Sequence, residues 1–359
     1  MFTKQKSTGI KKLILFTIVP LLVSGCVIQV NSNGSGTGSA GGVFVSTDKG
    51  NTWTTKDLIP TTQGTPGSIS GLDANDLVLD PSDSDALYYG SVDNGLYYTY
   101  DKGNDWQAVI SLGKINVKAV AVDPNAKCTI YVASQNRVLK STDCSRTWNQ
   151  VYYDNDPTVT VTALAVDYYN DANVYMGLSR GDVLKSTDRG NSWRALNRFE
   201  DVVEKILISP ADSRIVFVGI KGRGISRSKD GGSTWTDLSD ALKQFKDTIN
   251  FRDLAASQSD PNTIILANSY GLVRSTDNGD TWTGIQLLTP ENAATINAVA
   301  VSPKNSDEIY YVTNTTFYRS SDGGKTWTTK KLPTQRAGWK LIVDPDNAGM
   351  IYMAVKAVK

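Results

Sequence analysis

An eight-residue pattern, Ser/Thr-x-Asp-x-Gly-x-Thr/Ser-Trp, recurs seven times and sets the limits on how this chain can fold. Its copies begin at Ser46, Thr99, Ser141, Ser186, Ser228, Ser275 and Ser320 and end at Trp53, Trp106, Trp148, Trp193, Trp235, Trp282 and Trp327. Seven of the eight tryptophans serve it, and only Trp339 stands apart. From Asp48 to Asp322 is 274 residues in six steps, about 46 per step, a period that marks stacked supersecondary units.

Residues before each copy read as strand, as at 137–140 and 271–274, and the Trp opens the next strand, so the octapeptide spans a hairpin connection. Its Gly (Gly190, Gly279) suits the positive φ of a tight turn. Asp48, Asp101, Asp143, Asp188, Asp230, Asp277 and Asp322 are placed to accept hydrogen bonds from the turn's own N–H groups, and the Trp covers apolar area beside it. These are folding roles, and turn chemistry explains seven equivalent aspartates better than catalysis does.

The pattern resembles the Asp-box, or BNR repeat, of sialidase-type β-propellers. Related repeats occur in sortilin-type receptors, xyloglucan-degrading enzymes and the photosystem II assembly and stability factor family. The resemblance runs from about residue 42 to the C-terminus. Three copies depart from it: Thr99 and Asp105 in the second, Cys144 and Ser145 in the third, and Ser192 in the fourth.

Residues 1–26 read as a targeting segment. Lys4, Lys6, Lys11 and Lys12 form a basic start, and residues 13–23 are an apolar run too short to span a bilayer as a stable helix. The run ends in Leu22-Val23-Ser24-Gly25-Cys26, which resembles the bacterial lipobox. That resemblance implies lipidation of Cys26, export, and tethering to the membrane surface of the cell envelope; a plain signal peptide or uncleaved anchor is the alternative. Residues 27–42, rich in Ser, Gly and Asn, read as a flexible tether, and 43–359 as the propeller. Loss of residues 1–26 leaves 33 of the 37 basic residues against all 36 acids, a net charge of −3. Bulk charge therefore argues against nucleic acid as the main partner.

With Cys26 assigned to lipid, Cys128 and Cys144 remain. They flank strands at 129–133 and 138–142, and folding that hairpin brings them close to opposition. A disulfide is expected there, in the one copy that lost its Gly; two free thiols are the alternative.

Each repeat also carries an apolar run before its hairpin: 77–79, 119–122, 164–166, 206–208, 254–256, 298–301 and 341–343. These suit innermost strands crowded round an axis, and most end in an Asp-Pro or Ser-Pro turn. A second strand follows, the third precedes the octapeptide and the fourth starts at its Trp, so four strands make a propeller blade. Residues 43–45 and the stretch from Thr54 supply only strands three and four, while 341–343 and 351–355 supply only one and two. The expected fold is all-β: a closed seven-bladed β-propeller whose last blade is completed by both ends of the chain, without the open edges that invite aggregation.

The face opposite the octapeptide turns is the expected ligand surface. It offers Asp93, Arg137, Arg180, Lys221, Arg223 and Tyr270 near the axis, with Tyr152, Tyr153, Arg198, Arg252 and Arg336 farther out. Its long loops are 56–75 and 236–253, the second with a short helix over 239–246 capped by Ser239. The absence of histidine removes Ser-His-Asp chemistry and His-containing zinc sites. No cofactor is expected. Asp80, Asp83 and Asp85 fit a polar turn better than a calcium loop. Glycoside hydrolysis needs only two carboxylates, for which Asp73, Asp76 and Asp201 are candidates. The sialidase Phe/Tyr-Arg-Ile-Pro motif, however, is matched only in its first two positions, at Phe251-Arg252-Asp253-Leu254, and too late in the chain. Xyloglucan-degrading relatives build their cleft between two propellers, and one is read here. The sequence thus points to a monomeric, non-catalytic scaffold that binds a protein partner, similar to the assembly factor family. A glycan binder or hydrolase is the alternative.

Overall fold

The computed structural model describes residues 1–3 and 40–358. Cys26, the apolar segment and nearly all of the tether lie outside the described residues. The propeller occupies the unit from Ser39 onward.

Seven antiparallel four-stranded sheets make a seven-bladed β-propeller. Blade 1 is composite, with Ala337–Val343 innermost, then Ile351–Lys356, Val43–Ser46 and Thr54–Lys56. Blades 2 to 7 follow in order, with innermost strands Ala74–Asp80, Ala119–Val122, Val161–Val166, Val203–Ile208, Phe251–Ala256 and Ala298–Ser302. Closure rests on an antiparallel ladder in which Val43 faces Ala354 and Ser46 faces Ile351. Each of seven hydrophobic clusters lies between two adjacent blades; Phe44, Leu341 and Met353 of blade 1 meet Ala300, Tyr310 and Phe317 of blade 7. The long loop after blade 1 adds a small hairpin, Leu58–Ile59 with Gly67–Ser68. The expected helix is a single turn, Ser239–Leu242, and Ser239 does not cap it. Its N–H is taken instead by Asp237 (2.8 Å), which shifts the turn's start by one residue.

The octapeptide turns repeat one hydrogen-bond scheme. In the first, Ser46 Oγ donates to Asp48 Oδ1 (2.8 Å) and accepts from Gly50 N (2.7 Å). Thr52 N donates to Oδ1 (2.8 Å) and Thr52 Oγ1 to Oδ2 (2.6 Å). In the second copy Asp105 has no hydroxyl, and only its N–H reaches Asp101 (3.0 Å). Each turn docks on a neighbouring blade: a Cβ on Gly50, at φ 86°, would lie 2.1 Å from Phe317. The Trp rings help join blades, Trp106 Nε1 donating to Lys56 O (3.0 Å) and Trp193 Nε1 to Val151 O (3.0 Å).

In six of the seven turns these bonds favour the ionised carboxylate. Donation from Thr52, Thr147, Ser192 and Thr234 lowers Asp48, Asp143, Asp188 and Asp230 to about 2. The Thr326 bonds lower Asp322, and at Asp277 the Thr281 bonds overcome an opposing push from burial. A folded-state pKa below the unfolded value of about 3.9 gives stability that is complete above that value and lost as pH falls through the folded one. Melting followed by circular dichroism should therefore hold steady from pH 7 to 5 and drop between about pH 4 and 2. A midpoint unchanged at pH 2 would contradict this scheme.

Cys128 and Cys144 form a disulfide across 16 residues of sequence. It clips the third turn, where Cys144 and Ser145 take φ of 57° and 67°, the region glycine occupies in other copies. Closing a loop of that size contributes about 3 kcal/mol, so reductant should lower the denaturation midpoint accordingly. Equal thiol titres with and without reductant would refute the bridge.

Candidate functional site

The start of each innermost strand builds the mouth of the axial channel. Counting back five residues from the polar residue that ends each apolar run (Asp80, Asp123, Asp167, Ser209, Ser257, Ser302, Asp344) gives Asn75, Lys118, Thr162, Glu204, Arg252, Asn297 and Trp339. All seven line one cavity of about 240 Å³. Below it, sharing Lys118, Thr162 and Glu204, runs an axial channel of about 620 Å³.

A β-bulge sends these residues to the axis. In five blades the register slips at this position, as between Val203 and Lys205 and between Phe251 and Asp253. Ordinary alternation would point residues to the two faces of the blade; a bulge inserts an unpaired one and re-aims it. The residue before the bulge then turns to the preceding blade, where glycine leaves room. A Cβ on Gly177 would sit 2.2 Å from Val203, and one on Gly219 2.2 Å from Phe251.

Directly after the bulge come Asp76, Ala119, Ala163, Lys205, Asp253, Ala298 and Lys340, which face the following blade. The charged members form two clamps. Asp76 pairs with Lys340 of blade 1 (3.2 Å), and its Oδ2 accepts from Val120 N of blade 3 (3.0 Å). Asp253 pairs with Lys205 of blade 5 (2.5 Å) and accepts from Val299 N of blade 7 (2.9 Å). Each carboxylate thus ties three consecutive blades. Thr162 Oγ1 joins blade 4 to blade 5 through Val203 O (2.6 Å).

Lys118, Glu204 and Arg252 are exposed at the mouth. Among the described residues, none of the three side chains makes a hydrogen bond or ion pair. Desolvation pushes the Lys118 ammonium below its usual value, and Lys340 adds to this. Desolvation raises Glu204, against the pull of Lys221, Arg252 and Lys118. Trp339 stands beside them with Lys356 Nζ 4.5 Å from its ring centroid.

The residues expected on this face divide in two. Arg252, expected farther out than the near-axis residues, lines the mouth, because the bulge carries it inward. Lys221 is exposed and within electrostatic reach of Glu204, but neither it nor Asp93, Arg137, Arg180, Arg223 or Tyr270 is among the residues lining the mouth. Arg180 is bound to Asp182 and to Asp154 (2.7 Å), Arg198 to Asp182 (2.7 Å), and Tyr152 donates to Asp154 (2.9 Å). That network joins blades 3 and 4. Arg137 has a buried Nε without a partner among the described residues. Arg223 meets Glu200 at 3.4 Å, Tyr270 packs on Phe245 with centroids 5.0 Å apart, and Asp93 takes φ 58° in its turn. Tyr153 is exposed, and Arg336 pairs with Asp73. Asp80 accepts from Ser82 N (2.8 Å), while Asp83 and Asp85 pair with Lys127 and Lys102.

Fold and site together define a closed seven-bladed propeller with a charged axial mouth. The family described as the DUF6242 beta propeller domain matches residues 111–355, and the chain belongs to it. A xyloglucanase of Paenibacillus sp is 27% identical over 208 residues, covering 50% of this chain and 17% of its own length. Xyloglucanase Xgh74A of Acetivibrio thermocellus is 26% identical over 332 residues, 77% of this chain and 36% of its own. The chain therefore spans only a minor part of these curated relatives. Among solved structures, the GH74 enzyme of Niastella koreensis superposes with a TM-score of 0.66 at 20% identity, over 79% of this chain and 51% of that one. YCF48 bound to D1 peptide gives 0.61 at 18% identity, over 84% and 95%. At these identities the superpositions establish the fold.

Proposed function

We propose that this propeller is a non-catalytic recognition module, exported and held on the envelope membrane by lipid on Cys26, which docks a protein partner on the face where the channel mouth opens. The observation that carries the reading is the use already made of the mouth's carboxylates. Acid–base hydrolysis of a glycoside needs two of them disposed about one bond. Asp76 and Asp253 are each held by a lysine and a backbone N–H, Asp73 by Arg336 and Ala357 N, and Asp201 accepts from Val202 N (2.8 Å). Glu204 makes no such bond, and Asp201, bonded only to its neighbour's N–H, lies within electrostatic reach of it, while Lys118, Arg252 and Lys221 offer cations to a ligand. Most of the carboxylates here are committed to structural partners, which supports binding over cleavage.

The assembly-factor likeness supports a protein as that ligand, since a YCF48 propeller of nearly the same extent is bound to a peptide. A carbohydrate-active role is the second reading, favoured by the xyloglucanase relatives and by Trp339 at the mouth, where an aromatic face suits a sugar ring. Affinity capture from solubilised envelope, run beside a glycan array, separates the two. The expected result is a discrete protein complex that is lost when Lys221 and Arg223 are both changed to Glu. Selective sugar retention, or release of reducing ends, would overturn the proposal.

A further inference from the structure

The ring of bulged side chains defines what a ligand must supply. The clamps neutralise Asp76, Lys205, Asp253 and Lys340 among themselves. That leaves Lys118 and Arg252 as cations and Glu204 as an anion, beside Lys356, which is engaged with the Trp339 ring and with Asn75 Oδ1 (3.4 Å). The Asn297 Nδ2 group is committed to Asn314 (2.9 Å), so Asn297 offers a ligand its Oδ1, a second acceptor. The indole of Trp339 supplies apolar area. A fitting ligand brings an anionic group, hydrogen-bond donors beside it and an apolar side chain. Free phosphate or sulfate brings no apolar group and would meet repulsion from Glu204. The mouth is enclosed by all seven blades and its cavity is about 240 Å³, so a ligand enters end-on, as a chain terminus rather than a folded surface.

Resting on the protein-recognition reading above, we infer that the axial mouth captures the carboxyl terminus of an extended peptide, with Lys118 and Arg252 on the terminal carboxylate, Glu204 and Asn297 on its backbone N–H groups, and Trp339 against a terminal side chain. Burial of the ligand carboxylate would compensate two cations that now face the cavity without a counter-ion in contact. A carboxylate on a guanidinium or ammonium in a partly desolvated site forms charge-assisted bonds, stronger than those between neutral groups.

The test uses the solubilised full chain, immobilised and offered an equimolar mixture of two randomised hexapeptide pools, one ending in a free carboxylate and one in an amide, with retained peptides counted by mass spectrometry. Oligogalacturonate of similar length is offered separately. The acid-ended pool should be retained at least about tenfold over the amide pool. The preference should vanish in Lys118→Ala/Arg252→Ala and weaken in Trp339→Ala. The double variant should melt as the parent does, because neither side chain bonds within the fold. Equal retention of the two pools would overturn the inference, as would an undiminished preference in the double variant or binding of oligogalacturonate in place of peptide. If the protein complex survives Lys118→Ala/Arg252→Ala yet is lost with Lys221→Glu/Arg223→Glu, this inference fails while the recognition reading stands.

Discussion

Deletion of residues 340–359 should leave an insoluble chain, or one that melts without a cooperative transition. The segment carries most of the innermost strand of blade 1 and the whole of its neighbour. Ile351, Tyr352, Met353, Ala354 and Val355 are fully buried, and Leu341 and Val343 nearly so. Burying a large apolar side chain is worth roughly 1.5–3 kcal/mol, so these residues together contribute on the order of 10 kcal/mol. That matches the whole stability of an ordinary domain, about 5–15 kcal/mol. The loss also uncovers the Val43–Ser46 edge, which now pairs with Ile351–Lys356, and an unpaired edge templates aggregation. Calorimetry of the truncated chain decides the matter; a soluble product with one sharp endotherm would refute closure by the two ends.

Asp253→Ala is the point substitution with the largest expected cost. Its carboxylate is mostly buried, bonded to Lys205 and to Val299 N, and it spans blades 5, 6 and 7. Removing it orphans a backbone donor and leaves a half-covered ammonium without its partner, for a combined loss of about 3 kcal/mol. In a domain of this size that lowers the melting temperature by about 5 °C. Asp212→Ala supplies the contrast: its partner Arg214 is largely solvent-exposed, and solvent screens such a pair so that its loss should leave the melting temperature nearly unchanged. Equal melting of the two variants would show that the blades are held by packing alone.

The ring was legible in the sequence because its determinants are local. Seven Trp-terminated turns count the blades, and the apolar runs ending at Asp80, Asp123 or Asp344 mark the inner strands. The pairing of Cys128 with Cys144 follows from one hairpin. The mouth was not legible in the same way, since Lys118, Glu204 and Arg252 sit just outside the apolar runs and look like loop residues. Strict alternation would have placed them on a blade face, and the bulge breaks that alternation without a residue type of its own. Two signals remain, namely the constant five-residue interval back from the strand-ending Asp or Ser, and the small residues Gly90, Gly177 and Gly219 on the second strand. Arg180 shows the converse: its loop position resembles a ligand contact, and the fold also pairs it with Asp182 and with Asp154, 26 residues away in sequence.

Amide hydrogen exchange of the full chain, with and without its captured partner, tests most directly whether recognition sits at the mouth and scaffolding at the octapeptide turns. Protection is predicted at 74–76, 117–118, 202–205, 251–253, 296–297 and 337–340, with exchange unchanged at 46–53 and the six equivalent turns. Protection of those turns, with the mouth left unaltered, would contradict this division of roles.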